Sequence, residues 1–355
     1  MIVIDIVKVI VPAALAFFIG IAITPIITHY LYKYKVWKKA GGKTALDGTK
    51  AVEFTKLRED VETKTPRMGG IVIWGSVLFT ILFLWILSLT SNNDTFNKLD
   101  FLSRSQTWIP LFTLLVGAFV GFINDVLDVT SSSGERGISL KVRLIVVGTV
   151  SLFIGWWFFE KLGIVSIAIP FDGDLFIGWL IIPLFMLVSL ALYASGVIDG
   201  IDGLSGGVFA SIFAAYAGIA FYQQQIDLAA FNATVVGALL AFLWFNIPPA
   251  RFWMTETGTM GLTMTIAVVA FMTDTLGGGE GIAVLPIIAI LLVITVISNI
   301  VQVLSKKFRG KKVFKVAPLH HHFEAIGWPG YKVTMRYWVV SVVFAVIGII
   351  IALIG

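Results

Sequence analysis

Acidic residues in this sequence occur in three short segments that separate long apolar stretches. Asp125 and Asp128 lie in FINDVLD, Asp199 and Asp202 lie in DGIDG, and Glu256 lies in MTETGT. Each aspartate pair has i, i+3 spacing, which on a helical turn places both carboxylates on one face and makes them repel. A cation or a basic group is therefore expected between them. Because the chain has no cysteine, these carboxylates suit a hard cation such as Mg²⁺, which takes one or two protein carboxylates.

The same acids allow simpler interpretations. Asp128 could be a solvated loop carboxylate, and Asp199 or Asp202 could cap the following helix, since Asp is a good N-cap. Gly200 and Gly203 favour a ligand site instead, because glycine permits close backbone approach and a turn at a helix start can bind phosphate. We interpret DGIDG as a nucleotide- or phosphate-binding turn.

Three of the four histidines are adjacent, at His320, His321 and His322. Three adjacent imidazoles cannot all face one metal from a regular element, so zinc is disfavoured. We interpret them as hydrogen-bond donors to a polyanionic substrate. The alternative is an interfacial loop that carries the histidines incidentally.

Basic and aromatic residues near these segments could complete an anion site. Trp253 stands three residues before Glu256 and could stack on a base, although an interfacial aromatic belt explains it equally well. The candidate basic residues could instead serve topology or attract anionic lipids. These residues are Lys64, Arg67, Arg136, Lys141 and Arg143.

Long apolar spans must position these segments. The chain is 58% hydrophobic and 13% charged, with a mean hydropathy of +0.94, whereas soluble proteins carry about 25% charged residues. A bilayer-spanning helix needs about 20 apolar residues, and no alternating pattern indicates a membrane β-barrel. We predict an all-α integral membrane protein with about ten transmembrane helices. They lie near 8–30, 69–90, 108–124, 142–159, 175–195, 204–222, 230–246, 259–276, 282–305 and 334–354.

The distribution of basic residues predicts the orientation. With ten spans, 22 of the 26 Lys and Arg fall on the loops of one side. The positive-inside rule assigns that side to the cytoplasm, so both termini are expected outside and the acidic and histidine segments inside. The net charge of +5 then reflects topology and not nucleic-acid binding. The basic residues of the opposite side are Lys8, Lys98, Arg104 and Lys161.

No soluble domain or internal repeat is visible, so we treat residues 1–355 as one membrane domain. The outer segment Gly163–Pro170 alternates β-branched and small residues and is expected to form a short hairpin. Asp274 lies near the outer end of the eighth predicted span and is the one acid that approaches the interior of a span.

Five motifs together resemble a known family. TPRMGG, FINDVLD, DGIDGLSGG, FLWFNIPPARFWM with TETGT, and PLHHHFE occur in this order, each on a predicted cytoplasmic loop. This set is similar to the phospho-N-acetylmuramoyl-pentapeptide transferase branch of the polyprenyl-phosphate N-acetylhexosamine-1-phosphate transferases. The resemblance covers nearly the whole chain, and the triple histidine is its most specific element.

The resemblance implies a ten-helix fold with a cytoplasmic active-site cleft in the bacterial cytoplasmic membrane. It implies transfer of phospho-MurNAc-pentapeptide from UDP-MurNAc-pentapeptide to undecaprenyl phosphate, which yields lipid I and UMP for peptidoglycan synthesis and so serves cell-wall biogenesis, cell shape and cell division. The implied cofactor is Mg²⁺, the implied partners are the two substrates and the lipid bilayer, and a homodimer is compatible with it.

The resemblance also implies roles for individual residues. The residues implied as catalytic are Asn124, Asp125, Asp199 and Asp202, and Glu256 with Asp125 is implied as the metal site. Trp253 stands where a uracil-stacking aromatic is expected. The other implied substrate-binding residues are Lys64, Lys141, Arg143, Gly200, Ile201, His320, His321 and His322.

Several positions depart from the family pattern. Asn124 replaces the first acid of an Asp-Asp pair, Asp128 replaces a usual Lys, and Glu256 replaces the usual metal-binding Asp. Further departures are Arg67 for Thr, Gly196 for Asn, Thr255 for Gly, and Glu62 with Thr63 near the position of a usual Lys. Because Asn124 cannot act as a base, we expect direct attack by the prenyl phosphate, which is largely dianionic at pH 7.

Three alternatives remain open from the sequence. Asp128 favours a sister transferase that uses another UDP-sugar, whereas the triple histidine opposes it. A secondary transporter would require intramembrane charge and inverted repeats, which the sequence lacks apart from Asp274. The replaced acids also allow a homologue that has lost its activity.

Overall fold

The structure is a computed structural model and describes residues 2–39, 63–91, 94–103, 105–131 and 137–355. Several residues used in the sequence analysis lie outside these described residues. They are Glu62, Arg104 and Arg136, together with Lys43, Lys50, Lys56 and Arg58, which are counted among the 22 basic residues of the predicted cytoplasmic side.

The described chain is mostly helical. Its α-helices are α1 (Ile2–Lys33), α2 (Gly70–Thr90), α3 (Asp94–Leu99), α4 (Trp108–Thr130), α5 (Leu140–Glu160), α6 (Ile181–Ser195), α7 (Leu204–Tyr222), α8 (Ile226–Asn246), α9 (Glu256–Met272), α10 (Gly281–Ile288), α11 (Ile290–Arg309), α12 (Leu319–Ala325) and α13 (Gly330–Ile354). Short 3₁₀ turns at Gly178–Leu180 and Gly196–Ile198 flank α6.

Each of the ten predicted spans contains a helix. Within the described ranges, nine helices are long and apolar enough to cross a membrane, which confirms the all-α membrane class. The predicted eighth span is the shorter helix α9, of 17 residues. The predicted ninth span is broken at Ala289 into α10 and α11.

Helix α9 is the centre of the bundle. All of its residues from Thr257 to Met272 are buried, because α2, α4 and α6 pack around it. The contact with α4 depends on Gly117 and Gly121, one turn apart. A Cβ at Gly121 would lie 2.0 Å from the carbonyl oxygen of Glu256. Small residues at this spacing let membrane helices approach closely, and here they bring the last turns of α4 against the first turn of α9.

The outer helices α1 and α13 each have one side that is not covered by the rest of the described chain. Helix α1 packs on α8, and α13 packs on α7, yet both carry many exposed apolar side chains, such as Phe18 on α1 and Val339 on α13. In a membrane-spanning chain such faces are where lipid is expected, whereas the core is formed by α7, α8 and α9.

A hairpin closes the end of the bundle opposite to the first turn of α9. Strand β1 (Ser166–Ile169) pairs antiparallel with β2 (Gly173–Phe176). The predicted hairpin is thus confirmed, but it extends to Phe176, into the region that we had assigned to the fifth span. Asp274, just beyond α9, accepts hydrogen bonds from the backbone N–H of Ala168 and of Ile282, each at 2.9 Å. This acid ties the hairpin to the bundle and does not lie inside a span.

Candidate active site

Asp125 is fully enclosed by the protein. It lies in the penultimate turn of α4 and is 0% exposed. Its Oδ2 accepts hydrogen bonds from the Thr255 hydroxyl at 2.5 Å and from the Thr257 N–H and hydroxyl at 2.9 and 2.6 Å. Its Oδ1 accepts one from Arg67 at 3.1 Å. The carboxylate therefore joins α4 to the start of α9 and to the segment before α2.

Arg67 occupies the space between the first pair of acids. Its Nη2 contacts Asp125 and its Nη1 lies 3.2 Å from Asp128 Oδ2. This confirms the prediction that a basic group lies between the i, i+3 carboxylates. Since the Asp128 side chain is only 9% exposed, the interpretation of Asp128 as a solvated loop acid is wrong.

Asn124 and Arg143 connect α5 to the site. The Asn124 side chain is 5% exposed, and its Oδ1 accepts the N–H of Ile138 at 2.9 Å, just before α5 begins. From the first turn of α5, Arg143 Nη1 reaches Glu256 Oε1 at 2.5 Å. Asn124 therefore helps to place the helix whose arginine neutralises Glu256.

The two acids of DGIDG point to different partners. Asp199 accepts a hydrogen bond from the Ser205 hydroxyl and one from the Thr255 N–H, both at 2.7 Å. Asp202 accepts one from the Trp253 indole N–H at 3.0 Å. The turn is not helical at these residues, so the expectation that both carboxylates share one helical face does not hold for this pair.

The backbone of the DGIDG turn matches neither the aspartate N-cap nor the phosphate-binding turn considered from the sequence. Gly203, with φ +75°, is the N-cap of α7, and no side chain bonds the cap, so capping by Asp199 or Asp202 is wrong. The N–H of Gly203 is donated to Asn246 at 2.9 Å, and that of Gly200 to the carbonyl of Ile198 at 2.8 Å. These two N–H groups therefore do not form the expected phosphate cradle.

Gly200 instead permits close approach of the histidines. A Cβ at Gly200 would lie 2.5 Å from His321 Nε2 and 2.7 Å from His320 Nε2. Both histidines are buried, and their ring centroids are 4.4 Å apart. The turn and the start of α12 are thus in direct contact.

The three histidines face two directions, as their spacing predicted. His321 Nδ1 lies 2.8 Å from a carboxylate oxygen of Glu324, an interaction that orients the ring with Nε2 toward the DGIDG turn. His322 turns away, and its Nδ1 accepts the N–H of Lys315 at 3.2 Å. His320 and His321 therefore belong to the site, whereas His322 contacts the preceding loop.

The remaining predicted residues lie at the margin of this cluster. Lys64 and Lys141 are exposed, Trp253 is half-buried, and Ile201 is buried. Arg143 is the one residue of the predicted basic set, besides Arg67, that contacts a site carboxylate within the described part of the chain.

Several residues of the site were not predicted. Thr255, Thr257 and Ser205 supply hydroxyls to the aspartates, and Asn246 donates to the Phe252 carbonyl at 2.7 Å while it accepts from Gly203. Threonine and serine are common and carry no spacing signal. Asn246, two residues before Pro248, was visible in the FNIPP motif, and a polar residue at the end of an apolar span could have indicated its role.

Known proteins resemble the chain over nearly its full length. Residues 107–274 match the family described as Glycosyl transferase family 4. The phospho-N-acetylmuramoyl-pentapeptide-transferase of Anoxybacillus flavithermus is 33% identical over 342 residues, 95% of each chain. Proteins of the same name from a Geobacillus species and from Bacillus anthracis are each 33% identical, over 94% and 96% of this chain and 95% and 96% of their own lengths.

Proposed function

The chain belongs to the phospho-N-acetylmuramoyl-pentapeptide-transferase family, and from that premise we propose that it transfers phospho-MurNAc-pentapeptide from UDP-MurNAc-pentapeptide to undecaprenyl phosphate, with release of UMP and formation of lipid I. The family resemblance indicated by the loop motifs is confirmed. The observation that carries the proposal is this full-length similarity, joined to the convergence of Asp125, Asp199 and Glu256 around Thr255 and the first turn of α9.

In the proposed reaction an oxygen of the prenyl phosphate attacks the sugar-bearing phosphorus. A new P–O bond forms, and the bond from that phosphorus to the UMP oxygen breaks. The nucleophile needs no strong base, since a phosphate monoester has a second pKa of about 6. An amide at Asn124 is compatible with this direct attack and excludes a covalent aspartyl intermediate at that position.

Both reactants are anions, so positioning and charge compensation must supply most of the rate enhancement. Arg143 and the imidazoles of His320 and His321 are the groups that we assign to the substrate phosphates and sugar. Trp253 has its indole N–H held by Asp202, which fixes the ring for stacking on the uracil.

Mg²⁺ is the proposed cofactor, and the residues differ in how well they fit it. Within the described ranges no three His, Asp or Glu side chains are grouped as a metal site. Asp125 fits poorly, because protein donors already contact both of its oxygens. Glu256 fits as a single carboxylate ligand: its side chain is 25% exposed, and the arginine contacts one of its oxygens. When bound, Mg²⁺ would neutralise charge on the pyrophosphate.

The choice of sugar is part of the proposal. Asp128 was the feature that favoured a sister transferase with another UDP-sugar. Because Asp128 pairs with Arg67, its charge is explained by an ion pair within the protein and does not require a different substrate. His320 and His321 remain in favour of the muramoyl-peptide substrate.

We also propose the setting of the reaction. The chain acts as one membrane domain, residues 1–355, in the bacterial cytoplasmic membrane, with both termini outside and the site in a cleft that faces the cytoplasm. The support is the excess of basic residues on one side of the predicted topology. A homodimer is compatible with this arrangement.

The experiment is a transfer assay on the detergent-solubilised protein. Radiolabelled UDP-MurNAc-pentapeptide, undecaprenyl phosphate and Mg²⁺ are incubated, and the products are separated by chromatography. Labelled lipid and equimolar UMP are expected, with little product from UDP-N-acetylglucosamine. Product from the second sugar alone would indicate a sister transferase, and no product from either would contradict the proposed activity.

The metal proposal has its own test. Glu256→Gln removes the charge, so turnover should fall on the order of 10²-fold or more, as when a preorganised electrostatic group is lost. Glu256→Asp keeps the charge and changes only the reach, so it should retain part of the activity. The Mg²⁺ concentration for half-maximal rate should rise in both variants, and a normal value in Glu256→Gln would exclude Glu256 as a ligand.

A further inference from the structure

Thr255 has a backbone conformation that threonine rarely adopts. Its φ is +54° and its ψ is −168°, and it is the residue directly before α9. This is close to the region that is almost reserved for glycine, and residues held in such regions persist only where their surroundings fix them. A β-branched side chain is especially unfavourable at positive φ. The surroundings of Thr255 must therefore supply strong compensating contacts.

Those contacts join the parts of the site. The Thr255 N–H is donated to Asp199 at 2.7 Å, and its hydroxyl is donated to Asp125 at 2.5 Å. The same hydroxyl accepts the N–H of Met68 at 3.1 Å. The Thr255 carbonyl accepts the N–H groups of Gly258 and Thr259, each at 3.0 Å, in the first turn of α9.

One residue thus connects four segments of the chain. They are the end of α4, the DGIDG turn, the segment before α2 and the start of α9. Two of its contacts are to carboxylates that we place in the active site, and the next residue is Glu256. A change in the position of Thr255 would change the separation of all three acids at once.

We propose that Thr255 is a positioning residue of the transferase, whose hydroxyl fixes the distance between the carboxylates of Asp125, Asp199 and Glu256. This inference rests on the proposed function. The backbone N–H alone could hold Asp199, as it would in any residue at this position. Only the hydroxyl contacts Asp125 and the N–H of Met68. The proposal therefore concerns the hydroxyl of Thr255.

The decisive variant is Thr255→Gly. Glycine tolerates the backbone conformation and keeps the N–H to Asp199, but it lacks the hydroxyl. Thermal stability should be equal to the wild type or higher, while kcat should fall about tenfold or more, since small misplacements of catalytic groups cost up to about 10²-fold. The KM for the UDP-sugar should change by less than about threefold, because Thr255 does not itself contact the substrate in this proposal.

Two further variants distinguish the effect of the Thr255 hydroxyl from the effect of the shape of its side chain. Thr255→Ser keeps the hydroxyl and should retain kcat within about threefold, whereas Thr255→Val keeps the shape and should lose at least as much as the glycine variant. Thr265→Val is the matched control. It removes a buried threonine hydroxyl of α9 that bonds only the carbonyl of Gly261, and it should leave kcat within about twofold.

Amide hydrogen exchange gives a reading that does not depend on turnover. Segments 63–70 and 199–205 should exchange faster in the glycine and valine variants than in the wild type or Thr255→Ser. Wild-type kcat in Thr255→Gly, or a Thr255→Ser enzyme as slow as Thr255→Gly, would overturn the proposal. If the wild type itself makes no lipid product, the proposed function fails, and unchanged exchange in these segments would separately reject the positioning role.

Discussion

Two fully buried aspartates lie at opposite ends of the central helix α9, and their surroundings differ. Asp125, near the start of α9, contacts one arginine and three threonine donors. Asp274, just past its end, accepts backbone N–H groups of Ala168 and Ile282 and has no cationic side chain among its described contacts. The first carboxylate has a fixed counter-charge, and the second is held by neutral donors.

The difference distinguishes Asp125, the carboxylate that we propose to be functional, from Asp274, which ties the hairpin to the bundle. Burying a charge is costly unless it is paired and hydrogen-bonded, and at Asp125 the pairing comes from Arg67, a residue of another segment. At Asp274, burial in the first place, and the nearby charge of Asp174, raise the pKa to about 6, although three backbone hydrogen bonds lower it. Asp274 therefore takes up a proton in a mildly acidic range of pH, whereas the charge of Asp125 is compensated by Arg67.

The largest expected difference between the two ends is in labelling from outside the cell. Cysteine introduced for exposed Asp172 in the hairpin should react rapidly with an impermeant thiol reagent added to intact cells. Cysteine introduced for exposed Lys312, before α12, should react only after the cells are permeabilised. The chain has no native cysteine to interfere. His321 is unsuitable for this test because it is buried. The reverse labelling pattern would contradict the proposed orientation of the site.

Neutralising each aspartate should affect turnover very differently. Asp125→Asn should reduce kcat on the order of 10²-fold or more, because it weakens the contacts to Arg67 and Thr255 and leaves two neutral amides at positions 124 and 125. Asp274→Asn should keep kcat within about twofold and cost only stability, on the order of 1 kcal/mol. The assay of the purified variants in detergent measures both, and near-normal turnover of Asp125→Asn would remove the distinction between the two ends.

The sequence predicted the helices and the types of the site residues better than it predicted the contacts between them. Apolar length predicted the ten spans, because a membrane span must satisfy its own backbone, but it predicted neither the short helices α3 and α12 nor the break at Ala289 between α10 and α11. The acids, Arg67 and His321 were identified by type and spacing. The hydrogen-bond partners of these residues were not predicted, because the partners lie on distant segments of the chain. Thr255 and Thr257, for example, are over 120 positions from Asp125.

The errors have local physical causes. We interpreted the DGIDG turn as a phosphate-binding turn, with an aspartate cap of α7 as the alternative. The alternative is wrong because the N-cap is Gly203, and Asp199 and Asp202 accept hydrogen bonds from Thr255 and Trp253 instead. The eighth span was placed too late by three residues at its start, since Thr257 and Gly258 look polar in sequence yet are buried against α2 and α4.

A smaller effect is expected at Asn124, next to the paired Asp125. Asn124→Asp should change kcat by less than about tenfold, because the nucleophile is already ionised and the new carboxylate would accept the same N–H of Ile138. An obligatory general base contributes about 10²–10⁴-fold, so a gain of that size would show that direct attack is wrong. The measurement is kcat between pH 6 and pH 9, with Asp125→Asn as the companion variant that should be slow throughout.

The smallest expected effect is a pH dependence of stability from Asp274, which lies outside the helices in the loop after α9. Its folded-state pKa of about 6 is above the ordinary value of 3.8, so between these values the folded protein binds the extra proton. This contribution to stability is complete below pH 3.8 and is lost as the pH rises through 6, by about 1 kcal/mol between pH 5 and pH 7.5. Thermal unfolding in detergent should therefore give a lower Tm at pH 7.5 than at pH 5 for the wild type. Asp274→Asn cannot titrate, and its Tm should fall less over the same range. An equal fall in both proteins would show that Asp274 is ionised at both pH values, and that its backbone donors suffice to keep a buried carboxylate charged at pH 5.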